Sequence, residues 1–255
     1  MPRRLTRDAE RERAEQERIQ ARIGSVGQRE VRREIQRESE RMLLSWQATG
    51  EVPTDDEHYR RMRDLVERLH SVAIRAFAAR MDDQLKGAAP AEVKEVDPQR
   101  YDLLVQQYLA QEGGARIADD ISETTKRLIV RQIRSGQRQG LSNAEIVAKI
   151  RASIGAVSLA RAAVITRTEV HNAAMFGHFE RAKDSGIVTR KEWVAALDDR
   201  TRDDEFDHVD ANGQVVLINE SFTVSGEPMM YPGDSSASAG NLIACRCAVV
   251  FLIDD

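Results

Sequence analysis

The chain has 255 residues, a formal net charge of −4, 31% charged residues and 5% aromatic residues. A composition rich in charge and poor in aromatic residues is typical of long helices with solvated faces, and it argues against one large aromatic core. The net charge excludes a general binder of polyanions, so that any contact with nucleic acid must be local.

The first 46 residues are dominated by arginine and glutamate, with twelve arginines against nine acids. Apolar residues recur there at three- and four-residue steps, which predicts one narrow stripe on a helix. We interpret residues 1–50 as a charged helical arm that docks on a partner through this stripe, and the alternative is an arm that contacts DNA. The stripe consists of Ile19, Ile23, Val26, Val31, Ile35 and Met42. The candidate contacts for DNA or a partner are Arg29, Arg32, Arg33 and Arg37.

Five further helices are predicted before residue 187. Capping boxes at Thr54/Glu57 and Ser142/Glu145 mark the starts of two of them, because each side chain satisfies an otherwise unpaired backbone amide. Pro90 lies in a predicted linker between a helical segment, 51–90, and a helical body, 91–186. After the linker the predicted helices cover residues 97–112, 116–134, 142–150 and 157–184, the last one ending at Gly186.

Residues 187–255 have the pattern of a β-rich C-terminal module. Asn212-Gly213 is a strong tight-turn dipeptide, and a strand-like stretch follows it. Residues 242–253 are predicted to form a buried terminal strand that contains a Cys-Arg-Cys sequence. We therefore predict an α+β fold, elongated, with mostly helical N-terminal and middle regions and a small β-containing C-terminal module.

The chain has two cysteines, Cys245 and Cys247, which are too few for a disulfide framework and favour a reducing compartment. No run of about 18 uncharged apolar residues occurs, and the N-terminus is charged. We expect a soluble protein without a signal peptide and without a membrane contact.

The two cysteines flank Arg246, and in a strand their side chains would point to the same face. Two thiolates in that position could bind one zinc ion, with His208 and Asp199 or Asp198 completing a tetrahedral set. Such an ion would stabilise a small module that has little core of its own. We favour the alternative that the two cysteines are reduced and buried without a metal, because paired-cysteine zinc knuckles leave at least two residues between their cysteines.

Two enzymatic interpretations rest on the same part of the chain. Residues 198–210 contain seven carboxylates and two arginines, a set that a metal-dependent hydrolase or magnesium-dependent nuclease could use. A solvated loop is the more ordinary interpretation. A cysteine nucleophile with His208 as base and Asp199 as orienting group is chemically allowed, but no nucleophile motif accompanies the cysteines.

Polar residues on the last predicted helix are candidates for a structural anchor. Arg167 and Glu169 could pair with Asp199 and Arg202 of the following loop and so fix the helix to the β-rich module; exposed helix charges are the alternative. His171 and His178 lie two turns apart on one face, and we interpret them as core-edge residues rather than metal ligands. The full anchor set is Arg167, Glu169, Trp193, Asp198, Arg200 and Arg202, with Trp193 as the aromatic core residue.

Eight short sequences between residues 141 and 253 occur in a specific order and spacing. They are residues 142–146, 166–169, 193, 198–202, 208, 210–213, 227–234 and 244–247. In this arrangement the chain resembles the Mu F-like phage head morphogenesis family, whose members are minor head or minor capsid proteins. Two departures are Ala244, where the family usually has asparagine, and a longer distance between the aspartate-arginine sequence and the histidine.

The resemblance implies a structural virion protein that performs no catalysis. It implies a role in capsid assembly at the portal vertex and a link to DNA packaging or delivery. The partners implied are the portal protein, the major capsid or scaffolding protein, and double-stranded DNA. The implied location is the virion, in the head interior or at the portal vertex, and the host cytoplasm during assembly.

Overall fold

The computed structural model describes residues 2–6, 8–54, 56–89, 99–112 and 114–254, which form six helices and six strands. The predicted α+β class, mostly helical with a small β-containing C-terminal region, is confirmed. The helices are α1 (Ala9–Thr49), α2 (Asp56–Ala88), α3 (Gln99–Glu112), α4 (Gly114–Arg138), α5 (Asn143–Asp184) and α6 (Ala239–Leu242). The strands are β1 (Arg3–Arg4), β2 (Val188–Val194), β3 (Val215–Leu217), β4 (Phe222–Val224), β5 (Glu227–Met229) and β6 (Ala248–Ile253).

The chain divides into two compact units, and each unit combines distant stretches of the sequence. The first, called the sheet unit here, consists of Met1–Gly24, Leu69–Gln111 and Arg167–Asp255. The second, called the helical unit, consists of Ser25–Arg68 and Glu112–Thr166. Helices α1, α2 and α5 therefore contribute several turns to each unit.

The division of the chain into four segments was based on breaks in the local sequence pattern, and it stays a prediction. The segments are 1–50, 51–90, 91–186 and 187–255. The predicted linker around Pro90 and the helix start at Asp97-Pro98 lie outside the described residues. The helix that begins there was predicted to end at residue 112, and α3 does end at Glu112.

One hydrophobic core cluster of the helical unit comes from α1, α4 and α5. The predicted capping box at the start of α5 is confirmed, because the Ser142 N–H donates to Glu145 Oε2 at 2.8 Å and the Glu145 N–H donates to Ser142 Oγ at 3.3 Å. This box fixes the first turn of the helix that carries part of the core. The core residues are Met42, Leu43, Trp46, Ile129, Ile133, Ile146, Val147 and Ile150.

Helix α5 is one continuous helix of 42 residues, and the prediction of two helices, 142–150 and 157–184, is wrong. The predicted break, between residues 150 and 157, contains Gly155, and glycine in a helix interior costs about 1 kcal/mol relative to alanine. In the structure the helix continues through Gly155, with the buried residues Ile150 and Ala162 on either side of it. Burial on both sides offsets the low propensity of one glycine.

Helix α1 buries part of its charged face, which the interpretation as a solvated arm did not predict. Val31, Ile35 and Met42 of the predicted stripe are buried, but Val26 is 59% exposed. Glu34 and Glu38 are buried instead, where both contact the ring of His58: Nδ1 lies 3.0 Å from Glu34 and Nε2 lies 2.9 Å from Glu38. A buried charge needs such a partner, and the arginine-glutamate composition does not show where one is.

The sheet unit contains an antiparallel sheet with the strand order β1-β6-β2-β3. The terminal strand β6 is buried at all six positions and pairs Val249 with Trp193 of β2. Val194, Ala248 and Val250 form a small core cluster that packs against Ala9 at the start of α1. Residues 3–4 are thus part of the same sheet as residues 248–253.

Strands β4 and β5 form a separate hairpin that is joined by Ser225 and Gly226. Both turn residues have positive φ, 52° and 78°, as a two-residue turn with right-handed strand twist requires. The terminal strand is shorter than predicted, because β6 begins at Ala248 rather than at residue 242. No helix in the described parts of the chain is long and apolar enough to cross a membrane.

Candidate metal centre

Three of the residues that the sequence suggested as metal ligands come together in the sheet unit. His208 Nδ1 lies 3.3 Å from Cys247 Sγ and 3.7 Å from Cys245 Sγ. All three side chains are buried, with exposures of 2% to 3%. Among the described residues, they form the group of three His, Cys, Asp or Glu side chains whose ligand atoms lie within 4.8 Å of one another.

The cysteines lie in the connection between α6 and β6, and the prediction that they are part of a strand is wrong. Ala244 has a φ of 58°, and its N–H donates to Thr168 Oγ1 on α5 at 3.0 Å. The Cys245 N–H donates to the carbonyl of Leu242 at 3.2 Å. This turn, rather than the alternation of a strand, brings both sulfur atoms to the side of His208.

His208 is oriented by three neighbours. Its backbone N–H donates to the Arg202 carbonyl at 3.0 Å, and its ring packs edge-on against Trp193 with the ring centroids 5.9 Å apart. Its Nε2 lies 3.1 Å from Oδ1 of the fully buried Asn241. Because an amide oxygen only accepts, this contact requires Nε2–H, which leaves the lone pair of Nδ1 facing the two sulfur atoms.

The two thiols form one coupled acid-base pair. A hydrogen bond from Cys247, opposed by burial, holds the pKa of Cys245 well below its usual value, with further contributions from His171 and His208. The same hydrogen bond and burial raise the pKa of Cys247 well above its usual value. A divalent cation that binds cysteine takes the thiolate form, so metal binding at this pair would release protons.

The carboxylates that were predicted to complete the metal site are not part of the cluster. Asp199 is exposed. Asp198 is bound by Arg246, whose Nη1 lies 2.7 Å from Oδ2, and by Arg200 at 3.3 Å. The hydrogen bond from Arg246 is the largest of the effects that hold the pKa of Asp198 far below its usual value. Asp198 therefore fixes the Cys-Arg-Cys turn from outside through Arg246.

The predicted anchor between α5 and the following loop uses different residues. Glu169 Oε2 lies 2.9 Å from His70 Nε2, not against Arg202, and Arg167 is exposed. Arg202 donates to the backbone carbonyls of Asn241 and Ile243. Helix α5 is joined to the Cys-Arg-Cys turn through Thr168, the residue between Arg167 and Glu169, which accepts the N–H of Ala244.

Two other predicted residue sets are placed as follows. Trp193 is fully buried, between His208 and Phe222. The arginines proposed for DNA or partner contact are on α1 in the helical unit, where Arg29, Arg33 and Arg37 are exposed and Arg32 is half-buried. Arg37 lies 3.3 Å from Glu34. Contact of these arginines with DNA stays a prediction.

Several carboxylates of the acidic loop, residues 198–210, stabilise turns. Asp204 Oδ1 accepts the N–H of Phe206 at 3.0 Å. Asp207 Oδ1 accepts the N–H groups of Val209 and Asp210 at 2.8 and 3.0 Å. These hydrogen bonds fix the backbone on either side of His208. They give Asp204 and Asp207 a structural role in place of the metal binding that a nuclease would require.

Sequence-based reasoning missed three residues around the cluster: Asn241, Gln20 and His171. Gln20, whose Oε1 lies 3.2 Å from His171 Nδ1, is 225 residues before Cys245. Asn241 is only four residues before Cys245, but asparagine or glutamine by itself gives no signal of a site. His171 was noted and set aside as a core-edge residue. Its signal was its position directly after the 166–169 sequence, whose third residue, Thr168, accepts a hydrogen bond from Ala244 in the Cys-Arg-Cys turn.

Residues 128–250 match the family model described as Phage Mu protein F like protein. They form a Mu F-like region. The match contains His208, both cysteines and His171, and it confirms the resemblance to the phage head morphogenesis family.

A second comparison found the protein named NAD(+)--arginine ADP-ribosyltransferase EFV of Enterococcus faecalis (strain ATCC 700802 / V583), which is 30% identical to this chain over 129 residues. The shared stretch is 49% of this chain and 26% of the relative. The chain thus covers about a quarter of that protein's length. No solved structure matches the chain.

Proposed function

We propose that this chain is a phage minor head protein that acts in capsid assembly at the portal vertex and in the packaging or delivery of DNA. The observation that carries the proposal is the match of residues 128–250 to the Mu F-like family. The proposed partners are the portal protein and the major capsid or scaffolding protein. In this role the protein is present in the virion, and in the host cytoplasm during assembly.

The geometry of the His/Cys/Cys cluster supports a structural role for the Mu F-like region. Its three side chains are 2% to 3% exposed, so that no substrate reaches them without a change in the fold. Closed sites with protein ligands are typical of structural metal ions, whereas catalytic sites keep an open position. We propose that the cluster fixes the loop before β6 as part of a docking surface.

The alternative is a metal-dependent hydrolase or nuclease that uses His208 and the carboxylates of residues 198–210. It has less support, because Asp198 is engaged by arginines and Asp204 and Asp207 by backbone amides. The activity named for the Enterococcus relative is not part of the proposal, since the shared stretch is 26% of that protein.

The test is co-expression of the full chain with the portal and major capsid proteins of the same genome. We expect a complex with the portal by size-exclusion chromatography with light scattering, and density for the chain at one vertex of assembled heads by cryo-electron microscopy. Failure to associate with the portal and with heads would overturn the proposal. Cleavage of plasmid DNA in Mg²⁺ that is lost in Asp199→Asn would favour the nuclease instead.

The proposed contact with double-stranded DNA has its own test on α1. Replacing Arg29 and Arg33 together by alanine removes two exposed cations, so the slope of log affinity against log salt should fall by about 2. Electrophoretic shifts of a duplex over a salt series measure this slope. An unchanged slope would move any DNA contact away from these two residues.

A further inference from the structure

We propose that His171 is the fourth ligand of a zinc site in the sheet unit, which together with Cys245, Cys247 and His208 makes a four-coordinate Cys₂His₂ set. The proposal assigns a ligand on α5, a helix that the sequence did not connect to the cysteines. It concerns metal binding by the isolated chain, so it holds or fails independently of the role in head assembly.

The three clustered ligands already have the spacing of a tetrahedral site. Bond lengths of about 2.0 Å to histidine nitrogen and 2.3 Å to cysteine sulfur place nitrogen and sulfur about 3.5 Å apart at the tetrahedral angle. His208 Nδ1 lies 3.3 Å from Cys247 Sγ and 3.7 Å from Cys245 Sγ. These two distances fit one ion bound by His208 and both cysteines.

His171 offers a buried nitrogen that has no other use. The side chain is 1% exposed, and Nδ1 lies 3.2 Å from Gln20 Oε1. The other ring nitrogen, Nε2, is buried without a hydrogen-bond partner among the described residues. A buried polar atom left unpaired costs free energy, and a metal bond would remove that cost.

Helix α5 places this ring beside the Cys-Arg-Cys turn. Thr168, one helical turn before His171, accepts the N–H of Ala244, the residue before Cys245, at 3.0 Å. The backbone of Gly233 closes over the ring, since a Cβ at this glycine would lie 3.1 Å from His171 Cδ2. His171 is outside the group of ligand atoms that lie within 4.8 Å of one another, so its side chain must move towards the ion when zinc binds.

Both histidines carry the outer partner that metal-ligating histidines have. His208 donates Nε2–H to Asn241 Oδ1 at 3.1 Å, and His171 donates Nδ1–H to Gln20 Oε1 at 3.2 Å. Each amide oxygen fixes the tautomer that leaves the opposite nitrogen as an acceptor. His178 has the same kind of amide contact and an unpaired Nδ1, so the position beside the Cys-Arg-Cys turn, and not the unpaired nitrogen alone, distinguishes His171 as a candidate ligand.

No carboxylate of the acidic loop competes for the fourth position. Asp198 is held by Arg246 and Arg200, and Asp199 is exposed. The acidic residues therefore leave the fourth position to a ligand from another part of the sheet unit.

The experiment compares His171→Gln with His178→Gln in the full chain. The control is matched, since both histidines are buried on α5 and each has one ring nitrogen 3.2 Å from a glutamine oxygen, of Gln20 and of Gln84. Native mass spectrometry gives the zinc stoichiometry, and competition with a chelator gives the affinity. Cobalt substitution gives an absorption spectrum that reports the coordination number and the thiolate ligands.

We expect one zinc ion per wild-type chain and a tetrahedral cobalt spectrum with thiolate charge-transfer bands. His171→Gln should lower the zinc affinity by at least about tenfold and shift the cobalt bands, whereas His178→Gln should keep both wild-type values. Equal affinity and equal spectra in the two variants would overturn the role of His171. A wild-type chain that binds no zinc would overturn the site.

A second measurement covers the case in which His171→Gln does not fold. X-ray absorption at the zinc edge of the wild-type protein counts the ligand atoms directly. Two sulfur and two imidazole ligands are the expected result. Two sulfur atoms with one imidazole and one oxygen would show that water or a carboxylate, not His171, is the fourth ligand.

Discussion

His178 shows how burial changes the acid-base behaviour of a single residue. Its ring is fully buried in the sheet unit, edge-on to Phe77 and Phe251, and its Nε2 lies 3.2 Å from Gln84 Oε1. Burial lowers the pKa of His178 to about 4; the nearby charge of Glu12 opposes this effect. The neutral form is therefore the native form over the physiological range.

This pKa predicts a loss of stability in acid. The folded-state pKa of His178 is below the unfolded value of about 6.5, so the unfolded chain binds the proton first as the pH falls. The free energy of unfolding should fall between pH 6.5 and pH 4, by at most about 3 kcal/mol.

Urea denaturation over this pH range measures the effect, with a chelator present so that metal release makes no contribution. The control is His178→Gln, which has no group that titrates here. A wild-type curve that falls no more steeply than that of His178→Gln would contradict the prediction.

Among the elements, α5 contains two glycines with opposite surroundings. A Cβ at Gly177 would lie 2.7 Å from the carbonyl oxygen and 2.9 Å from the Cα of Ile74 on α2, so the two helix backbones are in direct contact there. A Cβ at Gly155 would meet no atom within 4 Å. Only the first glycine is required by packing.

Alanine at each of these glycines should have effects of opposite sign. Gly177→Ala should destabilise the protein by about 1 to 3 kcal/mol, because backbone atoms must move to admit the methyl group. Gly155→Ala should stabilise it by up to about 1 kcal/mol, because alanine has the higher helix propensity. Chemical denaturation monitored by circular dichroism measures both, and similar values for the two variants would contradict the close approach of α2 and α5.

The two tryptophans allow the whole molecule to be followed one unit at a time. Trp46 is in the core of the helical unit, and Trp193 is in the sheet unit beside His208. The chain has no other tryptophan. Trp46→Phe therefore leaves a reporter of the sheet unit, and Trp193→Phe leaves a reporter of the helical unit.

Chelation should act first on the sheet unit. If the proposed zinc ion is bound there, a chelator should lower the urea midpoint reported by Trp193 more than the midpoint reported by Trp46. Fluorescence of the two single-tryptophan variants with and without chelator measures the difference. Equal shifts would show that the two units unfold as one cooperative body, and no shift at Trp193 would argue against a stabilising metal.

At the scale of elements, the sequence predicted what depends on neighbouring residues. The capping box at Ser142, the left-handed end of α5 at Gly186 and the tight turn at Gly213 are each set within a few residues, and Gly186 and Gly213 have φ values of 72° and 79°. The break predicted in α5 was wrong because the continuity of a helix also depends on contacts with distant residues. A glycine signals low helix propensity, but burial by distant residues decides whether the helix ends.

The sequence by itself determined the α+β class, the Mu F-like resemblance and three residues of the cluster, because helical periodicity, turn residues and the Cys-Arg-Cys sequence are visible along the chain. Only the tertiary structure decided the rest. It replaced Asp199 by His171 as the candidate fourth ligand, and it made the first strand a neighbour of the last. These relations join residues that are up to about 250 positions apart, and contacts over such distances are set by packing, of which a single sequence carries no local signal.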